Sequence, residues 1–180
     1  YPVGIDAEEL LAVARAAGPI SLFDTPDPPR PLVVGLERAD YTKGIPERLA
    51  AVRRAYGRGI HFSYAGVAAP TRSGVAAYEN LARDVEAAAE AASDAARANG
   101  CLFAHVHRSI PWVEVVGLQR DADVIFTSSL ADGMNLVPLQ AVIAQSLRPA
   151  GERAVIVTGK GAGVASAFAG FEQDGLVTVD

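Results

Sequence analysis

Short apolar runs of strand length alternate with longer segments of helical period along nearly the whole chain, and this alternation constrains the fold more than any single motif. The runs at 31–38, 61–68, 102–108, 124–129, 154–158 and 176–180 predict strands, and helical spacing predicts helices near 46–58, 75–99, 111–120, 134–147 and 162–169. A strand, a helix and the next strand in regular succession form parallel β-α-β units. The expected class is therefore α/β, a Rossmann-like parallel sheet with helices on both faces. The 75–99 segment is rich in Ala, Glu and Arg and ends at Asn99-Gly100, a C-terminal stop signal. Residues 1–30 differ in character: a short helical stretch leads into DTPDPPR (24–30), so they are expected to be the end of a preceding domain plus a proline-rich linker.

Length and charge narrow the function. At 180 residues the chain suits one well-buried core. A net charge of −5 excludes the basic face that nucleic acid or an anionic membrane would require, leaving a small-molecule ligand. Cys101 stands alone, so an internal disulfide is impossible; a buried structural thiol is expected. No run reaches the roughly 18 apolar residues of a membrane span, and no signal peptide is visible, which predicts a cytoplasmic protein.

Parallel sheets bind ligands at the carboxyl ends of their strands, where strand-to-helix loops meet. Here those loops read ERADYTKG (37–44), AAPTRSG (68–74), HRSIP (107–111), SSLADGMN (128–135) and TGKGAGVA (158–165). Arg38 and Lys43 place two cations after the first strand, a pair suited to a diphosphate and equally compatible with ordinary surface charge. Lys43 and Lys160 are the only lysines in the chain. DGMN (132–135) opens a helix, so its backbone N–H groups could receive an anion while Asp132 accepts hydrogen bonds from ligand hydroxyls; an ordinary Asp-Gly turn fits the same residues.

Other chemistries lack their signatures. TGKGAG (158–163) does not have the order of a phosphate-binding P-loop, and no dinucleotide fingerprint follows the first strand. His61, His105 and His107 carry no metal-ligand spacing; His61 and His105 read as strand residues, and no protein-held metal is expected.

Five ordered blocks, YPVGID (1–6), ERADYTKGIPERL (37–49), APTRSGVAAY (69–78), HRSIPWVEVVGL (107–118) and ADVIFTSSLADGMNLVPLQAV (122–142), resemble the C-terminal half of the trehalose-6-phosphate synthases, retaining glycosyltransferases of family 20. The resemblance implies the C-terminal, donor-binding domain of a GT-B fold (31–180), truncated before its closing helices. It also implies an N-terminal GT-B domain as partner across a cleft, and is compatible with a homo-oligomer. Carried onto matching positions, it makes Arg38, Lys43 and Asp132 the catalytic residues. Arg38 and Lys43 would grip the donor diphosphate, and Asp132, Gly133, Met134, Asn135, Leu136 and Val137 would contact the donor ring and phosphates. Arg72 would bind the acceptor phosphate, while His107, Arg108, Ser109 and Ile110 would line the nucleobase pocket. Any divalent ion would be held by the diphosphate.

Three positions depart from the family pattern. Gln140 stands where a carboxylate usually accepts the ribose hydroxyls, Ala131 replaces the arginine before the aspartate, and TGKGAGVASAF replaces a Ser-Glu/Gln-Phe-Ala-Gly segment. These departures resemble the pseudo-glycosyltransferase branch exemplified by validoxylamine A 7′-phosphate synthase, which implies a GDP-linked valienol donor joined to validamine 7-phosphate through a C–N bond. The alternatives are a trehalose-6-phosphate synthase using nucleotide-linked glucose and glucose 6-phosphate, and a non-catalytic nucleotide-binding module.

Overall fold

The computed structural model describes residues 4–19, 22–71, 74–171 and 174–179. Its strands are β1 (Leu32–Arg38), β2 (Ser63–Ala69), β3 (Phe103–Val106), β4 (Val124–Thr127), β5 (Val155–Gly159) and β6 (Leu176–Val179). The helices are α1 (Ala7–Ala16), α2 (Ile45–Gly57), α3 (Ala76–Ala98), α4 (Trp112–Asp121), α5 (Leu136–Gln145) and α6 (Gly163–Ala167). Every strand pair is parallel, and the order across the sheet is β3-β2-β1-β4-β5-β6. The chain builds outward from β1 to β3, then returns to β4 on the other side of β1. The topological switch point therefore lies between β1 and β4.

The two faces of the sheet have separate cores. Leu32, Val34 and Leu36 of β1 join Ala65, Val67, Ile125 and Ile156, packed against Leu118 of α4, Ala122 at its C-terminal cap and Ala141 of α5. On the opposite face Tyr64 and Ala68 of β2 meet Ile45, Leu49, Val52 and Tyr56 of α2 and Val85, Ala92 and Ala96 of α3. Burial of each large aliphatic side chain contributes about 1.5–3 kcal/mol, so the two cores hold α2 and α3 on one side and α4 and α5 on the other.

Helix ends follow local chemistry. Asp6 Oδ1 accepts from the Glu8 and Glu9 amides (3.1 and 3.0 Å), starting α1, and Asn135 Oδ1 accepts from the Val137 amide (3.0 Å), starting α5. The expected stop after α3 is present, with Gly100 in the left-handed region at φ 65°. The segment expected to finish a preceding domain packs onto this one: Leu10 and Ala14 of α1 are buried with Val116 and Ala144, and Arg120 Nη1 donates to the Ala14 and Ala17 carbonyls (2.6 and 3.0 Å). The proline-rich stretch is anchored too, through an Arg30–Asp123 ion pair (3.0 Å).

Two smaller expectations are corrected. His61 is not a strand residue: β2 begins at Ser63, where pairing with Leu32 starts, and His61 lies exposed in the loop before it. Cys101 is half-buried rather than enclosed, because it also precedes its strand; its Sγ lies 3.5 Å from His61 Nδ1. His105 does belong to β3.

Candidate functional site

The loop after β1 and the loop after β4 meet at the switch point. Arg38 ends β1 and is exposed; the chain then turns through a short 3-10 segment, Tyr41–Lys43, capped by Asp40, whose carboxylate accepts from the Thr42 amide (3.0 Å) and hydroxyl (2.9 Å). Partial burial would raise the Asp40 carboxyl, but these bonds and one from the Tyr78 hydroxyl (3.1 Å) outweigh it and hold the group below its ordinary range. Gly44 follows at φ 60°; a Cβ there would lie 2.5 Å from the Ser128 carbonyl oxygen, so glycine lets the two loops touch.

That turn aims Lys43 across the sheet. Its ammonium is ion-paired with Asp132, the two side chains being 11% and 15% exposed. Asp132, expected to be free for a ligand, is thus engaged by Lys43, and its Oδ1 also accepts from the Met134 amide (3.3 Å). The amides of Met134 and Val137 are likewise satisfied from within the loop, by Asp132 and Asn135, rather than open to an anion. Gly133 and Met134 are exposed, Asn135 is buried, and Leu136 and Val137 are half-buried where α5 begins.

The glycines of TGKGAG have a structural reason. A Cβ on Gly159, Gly161 or Gly163 would fall 2.2, 2.0 or 2.2 Å from the carbonyl oxygens of Ser129, Leu130 and Gly133. Backbone therefore lies directly on backbone. The Asp132 amide donates to Gly161 O (3.2 Å) and the Gly163 amide to Asp132 O (2.8 Å), so the loop after β5 buttresses Asp132. Lys160 is exposed within it.

Gln140 stands on α5 four residues after Leu136, half-buried, with its Oε1 accepting from Gln119 Nε2 (3.3 Å). His107, Arg108, Ser109 and Ile110 follow β3, two strand spacings or about 10 Å from β1. They lie at the same end of the sheet but are not joined to Lys43 or Asp132. Arg72 lies outside the described residues; its neighbour Thr71 donates to the carbonyl of Ala39, the residue after β1 (2.9 Å).

Behind the two loops is a buried ion pair that the sequence reading passed over. Glu37 of β1 and Arg48 of α2 are bonded to each other with side chains 1% and 0% exposed. Burial raises the Glu37 carboxyl and the Arg48 guanidinium opposes that rise, while Arg48 itself stays cationic. A signal was available: Ile45, Arg48, Leu49, Val52 and Tyr56 share the buried stripe of α2, so Arg48 falls on a core position. Among the described residues no group of three or more His, Cys, Asp or Glu could hold a metal, and no helix is long and apolar enough to cross a membrane.

A doubly wound parallel sheet with a cation–carboxylate pair at its switch point makes this a Rossmann-like domain. The sequence pattern of glycosyltransferase family 20 matches residues 1–174, and the chain belongs to that family. It is 32% identical over 155 residues to a trehalose-6-phosphate synthase of Mycobacterium sp. strain KMS, covering 81% of this chain and 32% of that one. An α,α-trehalose-phosphate synthase [UDP-forming] of Yarrowia lipolytica is 32% identical over 163 residues, covering 81% and 33%. The UDP-forming enzyme of Burkholderia xenovorans, solved in complex with glucose-6-phosphate, superposes with a TM-score of 0.81 at 25% identity, covering 100% of this chain and 40% of that one. The chain thus spans about a third of the length of the curated relatives it matches.

Proposed function

We propose that this chain is the donor-binding domain of a retaining glycosyltransferase of the trehalose-6-phosphate synthase type, taking a nucleoside-diphosphate sugar and transferring its ring to a phosphorylated sugar. The observation that carries this reading is the Lys43–Asp132 pair at the β1/β4 switch point. A diphosphate entering there offers Lys43 stronger anionic partners than one carboxylate, and Arg38 stands at the end of the same strand to share the charge. Asp132, released from Lys43, is then free to accept hydroxyls of the donor ring.

In this mechanism the bond from the ring carbon to the diphosphate breaks with its electron pair passing to the leaving oxygen. Lys43 and Arg38 stabilise that charge. The acceptor oxygen bonds to the same face of the ring carbon, and its proton passes to the departing phosphate. No enzyme nucleophile takes part. Gly133, Met134, Asn135, Leu136 and Val137 surround the ring, Arg72 meets the acceptor phosphate, and the His107–Ile110 loop receives the base. A divalent ion, where one accompanies the diphosphate, takes its oxygen ligands from the nucleotide.

Two of the relatives named above are UDP-forming, and one of these was solved with glucose-6-phosphate, which favours a UDP-linked glucose donor and a hexose-phosphate acceptor for this chain. A second reading, a GDP-linked valienol donor and validamine 7-phosphate acceptor, is favoured by Gln140: its amide is tied to Gln119 and can donate as well as accept, unlike a carboxylate at the ribose. Calorimetric titration with UDP, GDP and ADP separates them. UDP preference supports the trehalose-phosphate reading, GDP preference the cyclitol reading, and binding of none of the three overturns both.

A further inference from the structure

Burying an ion pair is usually no more stabilising than filling the same space with apolar side chains, so the Glu37–Arg48 pair calls for a reason other than stability. The sheet makes room for it: a Cβ on Gly35 would lie 2.8 Å from Arg48 Cζ and Nε and 2.9 Å from the Tyr64 hydroxyl oxygen. Arg48 Nε donates to that hydroxyl (3.1 Å), which fixes the guanidinium in its plane.

Two short chains of hydrogen bonds leave the pair, one toward each partner of the ion pair in the donor site. From Arg48, Nη1 donates to Ser128 Oγ (3.3 Å), and that hydroxyl lies 2.8 and 2.9 Å from the carbonyl oxygens of Lys43 and Gly44. From Glu37, Oε1 accepts from Ser129 Oγ (3.3 Å), which accepts from Asn135 Nδ2 (3.2 Å), and Asn135 Oδ1 caps α5 through the Val137 amide (3.0 Å). One arm therefore holds the backbone of Lys43 and the other holds the loop that carries Asp132.

We propose that the buried Glu37–Arg48 pair is the positioning element of the donor site, setting the separation of the Lys43 loop and the Asp132 loop through Ser128 and Ser129. Neither member touches the donor; both act through the two serines. This rests on the donor-site reading above.

The test compares the unaltered full chain with Ser129→Ala, with Ser129→Thr, and with the paired apolar replacement Glu37→Leu/Arg48→Met. Each is titrated with UDP and with GDP by calorimetry, and thermal unfolding is recorded in parallel. Ser129→Ala should raise the nucleotide Kd about fivefold, and since its hydroxyl makes two buried hydrogen bonds the melting temperature should fall by several degrees while the chain stays folded at the titration temperature. Ser129→Thr, which keeps the hydroxyl, should restore binding. The paired replacement should still unfold cooperatively and bind more weakly still; if it does not fold, the Ser129 variants decide alone. Binding by Ser129→Ala within about twofold of the unaltered chain, the scatter expected of an uncoupled site, overturns the proposal. So does failure of Ser129→Thr to recover what Ser129→Ala loses. An unaltered chain that binds neither nucleotide instead overturns the donor-site reading itself.

Discussion

Lys43 and Asp132, 89 residues apart in sequence, neutralise each other across the switch point of the sheet. A diphosphate must displace the carboxylate to reach the ammonium. Asp132→Ala should therefore tighten binding of a bare nucleoside diphosphate by about fivefold, corresponding to about 1 kcal/mol for a partly exposed ion pair. The same variant should weaken binding of the nucleotide sugar, whose ring loses its acceptor. Parallel titrations with UDP and UDP-glucose check the opposite signs.

Gly161→Ala should damage the site from behind. The added methyl would sit 2.0 Å from Leu130 O, a backbone atom that cannot swing away, and the Asp132 amide bonds to Gly161 O. A loss of about 1–3 kcal/mol in urea unfolding is expected, together with weaker nucleotide binding. An unaltered midpoint and Kd would show that the close loop contact is not maintained in solution.

Much of this architecture is legible in the sequence because the alternation of apolar runs with helical periods survives to the individual element. The segment 46–58 matches α2 at Ile45–Gly57, and 75–99 matches α3 at Ala76–Ala98. The loops were located for the same reason, since a parallel sheet puts them at one end. Pairings across the fold were less accessible. Nothing local to Lys43 points to Asp132, and Glu37 and Arg48 belong to residue types that are seldom fully buried unless paired. The glycines of TGKGAG were visible, but their role is to meet the backbone of Ser129, Leu130 and Gly133, a contact that exists only once β4 and β5 are neighbours.

His105 predicts an acid sensitivity. Burial, reinforced by repulsion from Arg48 and His107, pushes its imidazole down to about 3, and both ring nitrogens are buried without a hydrogen-bond partner among the described residues. Below the ordinary value of 6.5 the unfolded chain binds a proton that the native ring refuses. Stability should then fall as pH drops from about 6.5 toward about 3, with a slope near 1.4 kcal/mol per pH unit for this group, and be insensitive to it above that window. Asp40 and Asp123, both held below the ordinary carboxylate range, add losses at lower pH in every variant. In His105→Leu the decline between pH 6.5 and 4 should be shallower by about one proton. Urea unfolding across that pH range measures it; identical slopes would contradict a neutral buried imidazole.

Leu10, 3% exposed, tests whether α1 is integral to the domain. Leu10→Ala should cost about 2–4 kcal/mol while unfolding remains a single transition. A loss near zero would mean that α1 does not stay packed against α4 and α5.

The most direct measurement of the central claim is a crystal structure of this chain with UDP-glucose or, if the affinities favour it, the GDP analogue. The account predicts the diphosphate between the β1 and β4 loops, Lys43 Nζ within about 3 Å of a phosphate oxygen, and Asp132 turned from Lys43 to the ring hydroxyls. A nucleotide bound elsewhere, with the Lys43–Asp132 pair still closed, would contradict it.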